Sequence, residues 1–281
     1  ARKTLELDLR RGNIAVEADI MAVIGAGKRR SIELDYIGHG TMPVPYASRI
    51  GNVLMSGGIM GHDLKGKMAE TPAEQARNMF ANIRNTVEAA GGSVADIIKI
   101  NFFYQTGLDR AVFNPYWLEL FPDAASRPAR KTLELDLRRG NIAVEADIMA
   151  VIGAGKRRSI ELDYIGHGTM PVPYASRIGN LLMSGGIMGH DLAGKMAETP
   201  AEQARNMFAN IRNTVEAAGG SVADIIKINF FYQTGLDRAV FNPYWLELFP
   251  DAASRPARKT LELDLRRGNI AVEADIMAVI E

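Results

Sequence analysis

The sequence contains no cysteine, which excludes disulfides, thiolate nucleophiles and cysteine-ligated zinc or iron–sulfur sites. Histidine is scarce too. Of the four present, His39 and His62 have no metal-ligand spacing to each other or to carboxylates, so both read as ordinary surface or core residues and no metal site is expected. Charge of one sign is also missing, with 33 Lys+Arg against 33 Asp+Glu, so nothing draws the chain generally to nucleic acid or to an anionic membrane. No run of about 18 apolar residues occurs, which argues against a helical membrane span. Ala1-Arg2-Lys3-Thr4 lacks the apolar stretch of a secretory signal. What is present is ordinary: 281 residues, 47% hydrophobic and 23% charged, enough for one large domain or two average ones. The expectation is a soluble, cytoplasmic protein that acts on a small molecule or on another protein.

The dominant feature is an internal repeat. Ala1-Arg2-Lys3-Thr4-Leu5-Glu6-Leu7 returns at Ala129 and at Ala257, a period of 128 residues. Residues 1–128 and 129–256 differ only at Val53/Leu181 and Lys65/Ala193, and the last 25 residues repeat the beginning through Ile280. A domain-sized period excludes a solenoid of short units. Copies this alike read as an engineered tandem fusion. Gly25–Arg30 and Gly153–Arg158 are the linker-like segments, small residues followed by Lys-Arg-Arg, which reads as a solvated charge run and not as a nucleic-acid patch. The expected organisation is an extra copy of the C-terminal β-hairpin (1–24), a linker (25–30), a unit (31–152), a second linker (153–158) and a second unit (159–281). Cutting after Pro128 and Pro256 instead also leaves two frames and three terminal segments.

Within one unit, Ser31–Ile37 alternates as a strand does, and Ile50–Met60 is a β-rich stretch broken by Gly57-Gly58. Thr71-Pro72-Ala73-Glu74 predicts a helix start, with Thr as cap, Pro in the first turn and Glu closing a capping box. Ala76, Met79, Phe80, Ile83, Val87 and Ala90 then form one helical stripe, ended by Gly91-Gly92. Asp96–Gln105 reads as a buried strand. Asp109 can cap a second helix with Phe113, Tyr116, Trp117, Leu120 and Phe121 inward, and Pro115 should kink it or shift its start. After Pro128 come two strands around a turn at Arg138-Arg139-Gly140-Asn141. Leu133, Leu135 and Leu137 share one face, and Arg130, Thr132, Glu134 and Asp136 the other; in the next strand Ile142, Val144, Ala146 and Ile148 oppose Glu145 and Asp147. Met55, Met60, Met68 and Met79 read as core filler. The fold class is α+β, a six-stranded mixed sheet with two helices on one face per unit. The opposite face, part charged and part apolar, is expected to meet another subunit.

Four stretches acquire meaning in combination: Pro45-Tyr46-Ala47-Ser48-Arg49-Ile50-Gly51-Asn52, Leu54-Met55-Ser56-Gly57-Gly58-Ile59, Phe113-Asn114-Pro115-Tyr116, and Arg127-Pro128-Ala129-Arg130-Lys131-Thr132 with Glu145 fifteen residues past Arg130. In this order and spacing, over essentially a whole unit, the chain resembles the RidA/YjgF family of enamine/imine deaminases. The resemblance implies a chorismate-mutase-like unit and a trimer-type barrel with three clefts between neighbouring subunits. It implies hydrolysis of 2-aminoacrylate-type imines to 2-keto acids and ammonia, with no cofactor. Small imine or enamine carboxylates and further copies of the unit are then the partners, and nucleic acid and membrane are not. Carried over by motif, the substrate carboxylate falls to Arg130 and its copies Arg2 and Arg258. The water-orienting carboxylate is Glu145, with copies Glu17 and Glu273. Tyr46/Tyr174, Gly57/Gly185 and Asn114/Asn242 line the cleft. Three departures bear on substrate preference: Gly58-Ile59-Met60 where Gln-Ile-Pro is frequent, Lys131 where a small hydroxyl residue is usual, and Pro115 after the asparagine. The family's older label, a translation-inhibiting endoribonuclease, fits poorly with a neutral chain lacking a basic-aromatic stripe.

The residue types suit the chemistry. A guanidinium grips a carboxylate through two parallel hydrogen bonds, as lysine cannot. Holding the carboxylate places the imine carbon beside one water. A carboxylate bonded to that water raises its nucleophilicity and can relay protons as ammonia leaves. Duller roles stay open: Arg130 paired with Glu134 or Asp147, Glu145 in an interface salt bridge, Tyr46 as packing, Gly57 as a bulge, Asn114 as a helix cap. In a hairpin turning near Gly140, Glu145 would face Glu134 or Leu135, over about 10 Å from Arg130, so a shared cleft would need a subunit boundary or a bridging water. The orphan segment 1–24, with Leu5, Leu7, Leu9, Ile14 and Ile20, is expected to dock on a sheet. Two functions from different classes remain, an active imine deaminase and an engineered, non-catalytic scaffold.

Overall fold

The computed structural model describes residues 1–6, 14–38, 42–137, 140–166, 170–266 and 268–281; His39, Leu7, Leu9, Arg138 and Arg139 lie outside the described residues. Two copies of one α+β unit follow each other. The first contains β1 (Arg30–Ile32), β2 (Ala47–Ile50), β3 (Val53–Ser56), β4 (Ile59–Met60), α1 (Pro72–Ala89), β5 (Ile97–Gln105), α2 (Asn114–Leu120), β6 (Ala129–Leu135) and β7 (Val144–Val151). The second repeats them as β8 (Arg158–Ile160), β9 (Ala175–Ile178), β10 (Leu181–Ser184), β11 (Ile187–Met188), α3 (Pro200–Ala217), β12 (Ile225–Gln233), α4 (Asn242–Leu248), β13 (Ala257–Leu263) and β14 (Val272–Val279). Six strands run in the order β1-β2-β3-β7-β5-β6, with the two-residue β4 also on β7. Only β5 and β6 are parallel, so each unit is a mixed sheet with two helices.

Local sequence accounts for the helices. Thr71 Oγ1 accepts from Glu74 N and the Glu74 carboxylate accepts from Thr71 N, closing the capping box, and Pro72 takes the first turn where its missing N–H costs nothing. The stripe Ala76–Ala90 is buried against the sheet. Thr71→Ala is expected to lower stability by about 1 kcal/mol, read as a shifted urea midpoint with unchanged slope. Pro115 shifts the second helix: residues 110–113 form a 3-10 turn capped by Asp109, and α2 restarts at Asn114 with proline in its first turn. Phe102 and Phe113 stack 4.7 Å apart beneath it, with Trp117 edge-on to Phe102.

Three expectations are corrected. The strand read over Ser31–Ile37 is only Arg30–Ile32; the chain then turns, Ile37 N donating to Leu34 O, so that Leu34 and Ile37 both enter the core. The last two strands do not form a hairpin. Strand β5 lies between them, pairing Phe103 with Glu145 on one side and with Leu133 on the other. Strand β6 is itself the edge strand, and its burial comes from the second unit: β13, paired in the same parallel way with β12, is mostly half-exposed. Lastly, Lys-Arg-Arg is not uniformly solvated. Arg157 is buried, donating to the carbonyls of Ser126, Val94 and Ile97, and burial pushes its guanidinium down to about 10.

The sheet faces turned away from the helices meet each other. Ile98, Ala129, Met149 and Val151 of the first unit share one cluster with Ile178, Leu181, Met183 and Met277 of the second. A further cluster joins Phe103, Leu133 and Phe231 with Leu5 and Leu261 at its margin. Leu5, Leu133 and Leu261 are one position in the three copies of the repeat. No strand is assigned among the described residues of 1–24. Residues 1–6 lie on the first unit, where the Ala1 amino group donates to Ser48 Oγ at 2.6 Å, and Asp19 pairs with Lys227 and Lys259 of the second. Leu181 is buried in the inter-unit cluster and Val53 packs at its margin. Lys65 and Ala193 are exposed, and nothing in the structure explains that difference.

Candidate functional site

Strand alternation sends Arg130 and Thr132 of β6 to the helix side and Lys131 to the opposite side. Arg130 is 4% exposed. Its Nη1 donates to Asn114 Oδ1 at 3.0 Å and its Nε to Thr132 Oγ1 at 3.2 Å. The guanidinium also lies 5.2 Å from the Trp117 ring centroid, with Phe102 and Phe113 at 5.3 and 5.6 Å, close enough for cation–π attraction. Glu134 accepts from Tyr104 and Gly107 and lies near Arg266, and Asp147 accepts from Asn101 and pairs with Lys3. Asn114 makes no side-chain cap for α2 and instead orients the arginine.

The opposing wall belongs to the other unit. A Cβ on Gly185 would lie 2.7 Å from the Arg130 carbonyl oxygen, so only glycine lets these backbones approach. Gly185 N donates to Tyr174 O at 2.9 Å. Tyr174 is buried, and burial pushes its phenol well above the ordinary range, as it does for Tyr46. The next residue, Gly186, has no side chain where the Glu273 carboxylate packs. Glu273 Oε1 is 2.9 Å from Lys131 Nζ, and both side chains are 2% exposed. Lys131 Nζ also sits 3.8 Å from the Phe231 ring centroid. Trp117 Nε1 donates across the boundary to Pro171 O at 2.8 Å.

The other two copies are less enclosed. At the first unit, Gly57 faces the Arg2 carbonyl, its Cβ position 2.9 Å away, and Lys3 pairs with Glu145 and Asp147, both at 3.3 Å. Arg2 itself is exposed and reaches Met42 Sδ at 3.7 Å. At the second unit, Arg258 donates to Asn242 at 3.1 Å and to Thr260 at 3.3 Å but is only half-buried. It opens on a cleft of about 780 Å³ lined also by Glu17 and Asp19. Burial and, after it, the field of Arg238 hold the Arg258 guanidinium below its ordinary range.

The structure thus brings Arg130, Asn114, Gly185, Tyr174 and Glu273 to one unit boundary, and Arg2, Gly57, Tyr46 and Glu145 to an equivalent one. It places Glu17 on the cleft of Arg258 and Asn242, in an exposed segment. Sequence reading missed Thr132, Trp117 and the cross-boundary lysines. The signal for Lys131 was available, because a residue following an inward arginine in a strand must face the other side.

The fold and site define a tandem α+β protein with an arginine buried where its units meet. The family model for Endoribonuclease L-PSP matches residues 43–152 and 171–280, and the chain belongs to this family, also called RidA/YjgF, with two repeated domains. The 2-iminobutanoate/2-iminopropanoate deaminase of Salmonella typhimurium is 32% identical over 111 residues, covering 38% of this chain and 87% of that protein. RidA from a Psychrobacter species is similar over 44% of this chain and 99% of its own, at 27% identity and a TM-score of 0.40. Escherichia coli TdcF, solved with bound serine, is similar over 44% and 99% at 24% identity and 0.41. The sequence match to the Salmonella deaminase makes this chain a distant homologue of imine deaminases. Among the described residues no helix is long and apolar enough to cross a membrane, and no cluster of candidate metal ligands occurs.

Proposed function

We propose that the protein hydrolyses enamine and imine carboxylates of the 2-aminoacrylate type, giving a 2-keto acid and ammonia. The observation that carries this reading is Arg130, buried, its guanidinium fixed by Asn114 and Thr132 and its backbone carbonyl against Gly185 across the unit boundary. The guanidinium holds the substrate carboxylate, with Tyr174 and the Gly185 backbone closing the opposite side. Water adds to the imine carbon and one of its protons passes to the nitrogen; the remaining hydroxyl proton then moves to the amine as the carbon–nitrogen bond breaks, the carbonyl forms and ammonia leaves. Glu273 is the carboxylate offered to that water. Positioning of water and carbon supplies most of the acceleration, since the imine is already electrophilic. Arg2 with Gly57, Tyr46 and Glu145 forms the second such site, and Arg258 with Asn242 and Glu17 the third.

The test generates the imine in place with an amino-acid oxidase and follows its lifetime by semicarbazide trapping. Shortened lifetime, lost when Arg2, Arg130 and Arg258 are all replaced by Ala, supports the reading. Unchanged lifetime over several amino acids, with folded protein, overturns it. The ion pairs Lys131–Glu273 and Lys3–Glu145 favour a second reading, an engineered scaffold without activity, because they tie both carboxylates into unit contacts. The trimer-type barrel also belongs to this proposal, the inter-unit clusters being its inner wall.

A further inference from the structure

The proposed chemistry uses one guanidinium per cleft, yet the structure supplies a second. Arg238 opens the 3-10 turn Arg238–Phe241, which runs directly into α4 at Asn242. Asn242 is the residue whose oxygen accepts from Arg258. Arg238 and Asn242 are four positions apart, about one helical turn, so they share one side of the element. Arg238 and Arg258 accordingly line the same cleft. The placement repeats in the first unit, where Arg110 opens the turn Arg110–Phe113 ahead of Asn114, and Asn114 holds Arg130.

Local stability does not account for this arginine. A cation at the start of a helical element gains nothing from the helix dipole. Among the described residues Arg238 makes no hydrogen bond and no ion pair. The carboxylates of the cleft are engaged elsewhere. Asp237 accepts from Ala239 N at 2.9 Å, and Asp19 pairs with Lys227 and approaches Lys259. Glu17, which also lines the cleft, is the carboxylate of its proposed chemistry.

Arg258 is not neutralised either, because both its partners, Asn242 and Thr260, offer uncharged oxygens. Two guanidiniums that share a cleft repel. After burial, the field of Arg238 is what holds the Arg258 guanidinium below its ordinary range. A ligand with one negative charge relieves one of these cations, and a ligand with two relieves both.

We infer that Arg238, and Arg110 in the first unit, are specificity residues for a second carboxylate, so that the preferred substrates are imines of acidic amino acids. The inference rests on the imine-deaminase reading of the cleft. Arg258 grips the carboxylate beside the imine carbon, and Arg238 receives the one at the end of the side chain. Arg110 plays the same part for Arg130. It is half-buried where Arg238 is exposed, so the discrimination is sharper in the first unit.

The experiment compares two imines generated in place by oxidases, one from glutamate and one from 2-aminobutyrate, with the full chain present. The acidic imine is expected to show a kcat/KM about 10- to 100-fold higher, the range for one charge-assisted contact. Arg110→Leu with Arg238→Leu should remove that preference through a raised KM for the acidic imine. Arg110→Lys with Arg238→Lys should keep part of it, since the charge stays and the planar fork is lost. A parent without the preference, or a leucine variant that retains it, overturns the inference. Calorimetric titration with 2-oxoglutarate and 2-oxobutanoate gives a readout without turnover: the dicarboxylate should bind more tightly by a similar factor, and the leucine variant should not distinguish the two. Absent hydrolysis with that binding preference intact would sink the deaminase reading and leave the second carboxylate site standing. Equal binding of the two keto acids would sink the site whatever the turnover.

Discussion

With the other two sites silenced by Arg2→Ala and Arg258→Ala, replacing Arg130 with Ala is expected to lower kcat/KM for imine hydrolysis by about 100- to 1,000-fold, the range for losing a bidentate, charge-assisted grip on a carboxylate. The loss should be larger than for Arg258→Ala or Arg2→Ala tested the same way. Arg130 is nearly inaccessible and held by two partners, Arg258 has the same partners but is half-buried, and Arg2 is exposed. Water competes least for the most enclosed guanidinium, so the carboxylate gains most there. Arg130→Lys is the informative companion. It keeps the positive charge near Trp117 and Phe102 but loses the planar fork and the simultaneous bonds to Asn114 and Thr132. The expected result is a large rise in KM with partial retention of kcat, measured by trapping on protein whose thermal transition is checked in parallel. A lysine variant as active as the parent would remove Arg130 from the reaction.

The parts of this site differ in how far they were legible in the sequence. Helix starts were readable in outline because local chemistry sets them: Thr71, Pro72 and Glu74 satisfy the first orphan N–H groups, and Asp109 caps a 3-10 turn before Pro115 shifts the start of α2 to Asn114. Strand faces were readable too, since alternation alone puts Leu133 and Arg130 on opposite sides. Strand neighbours were not. The reading of the last two strands as a hairpin failed because nothing local to residues 136–143 records that β5, more than twenty residues earlier, lies between them. Register across a sheet is fixed by burial of whole faces, a property of the assembled unit.

The same distinction explains the site. Arg130 and Glu145, taken as one unit's residues in a hairpin, were too far apart, and the sequence reading called for a subunit boundary or a bridging water. The boundary exists, and the carboxylate it brings toward Arg130's strand is Glu273 of the other unit, held by Lys131. Asn114 could be read as a cap or as a ligand contact from sequence; only the position of Arg130 decides that its oxygen is used to orient the guanidinium.

That cross-boundary lysine carries the other large expected effect. Lys131→Met should destabilise the protein by about 3–5 kcal/mol, because it breaks a buried ion pair by removing one of its members. Methionine keeps most of the apolar stem over Phe231, so lost packing contributes little. Removing both charges, Lys131→Met with Glu273→Leu, should cost far less than the single lysine change, since no buried ion remains to be solvated. Urea denaturation of the four proteins measures the coupling. Additive effects would mean the two side chains are hydrated in solution, and the unit boundary is looser than their separation of 2.9 Å implies.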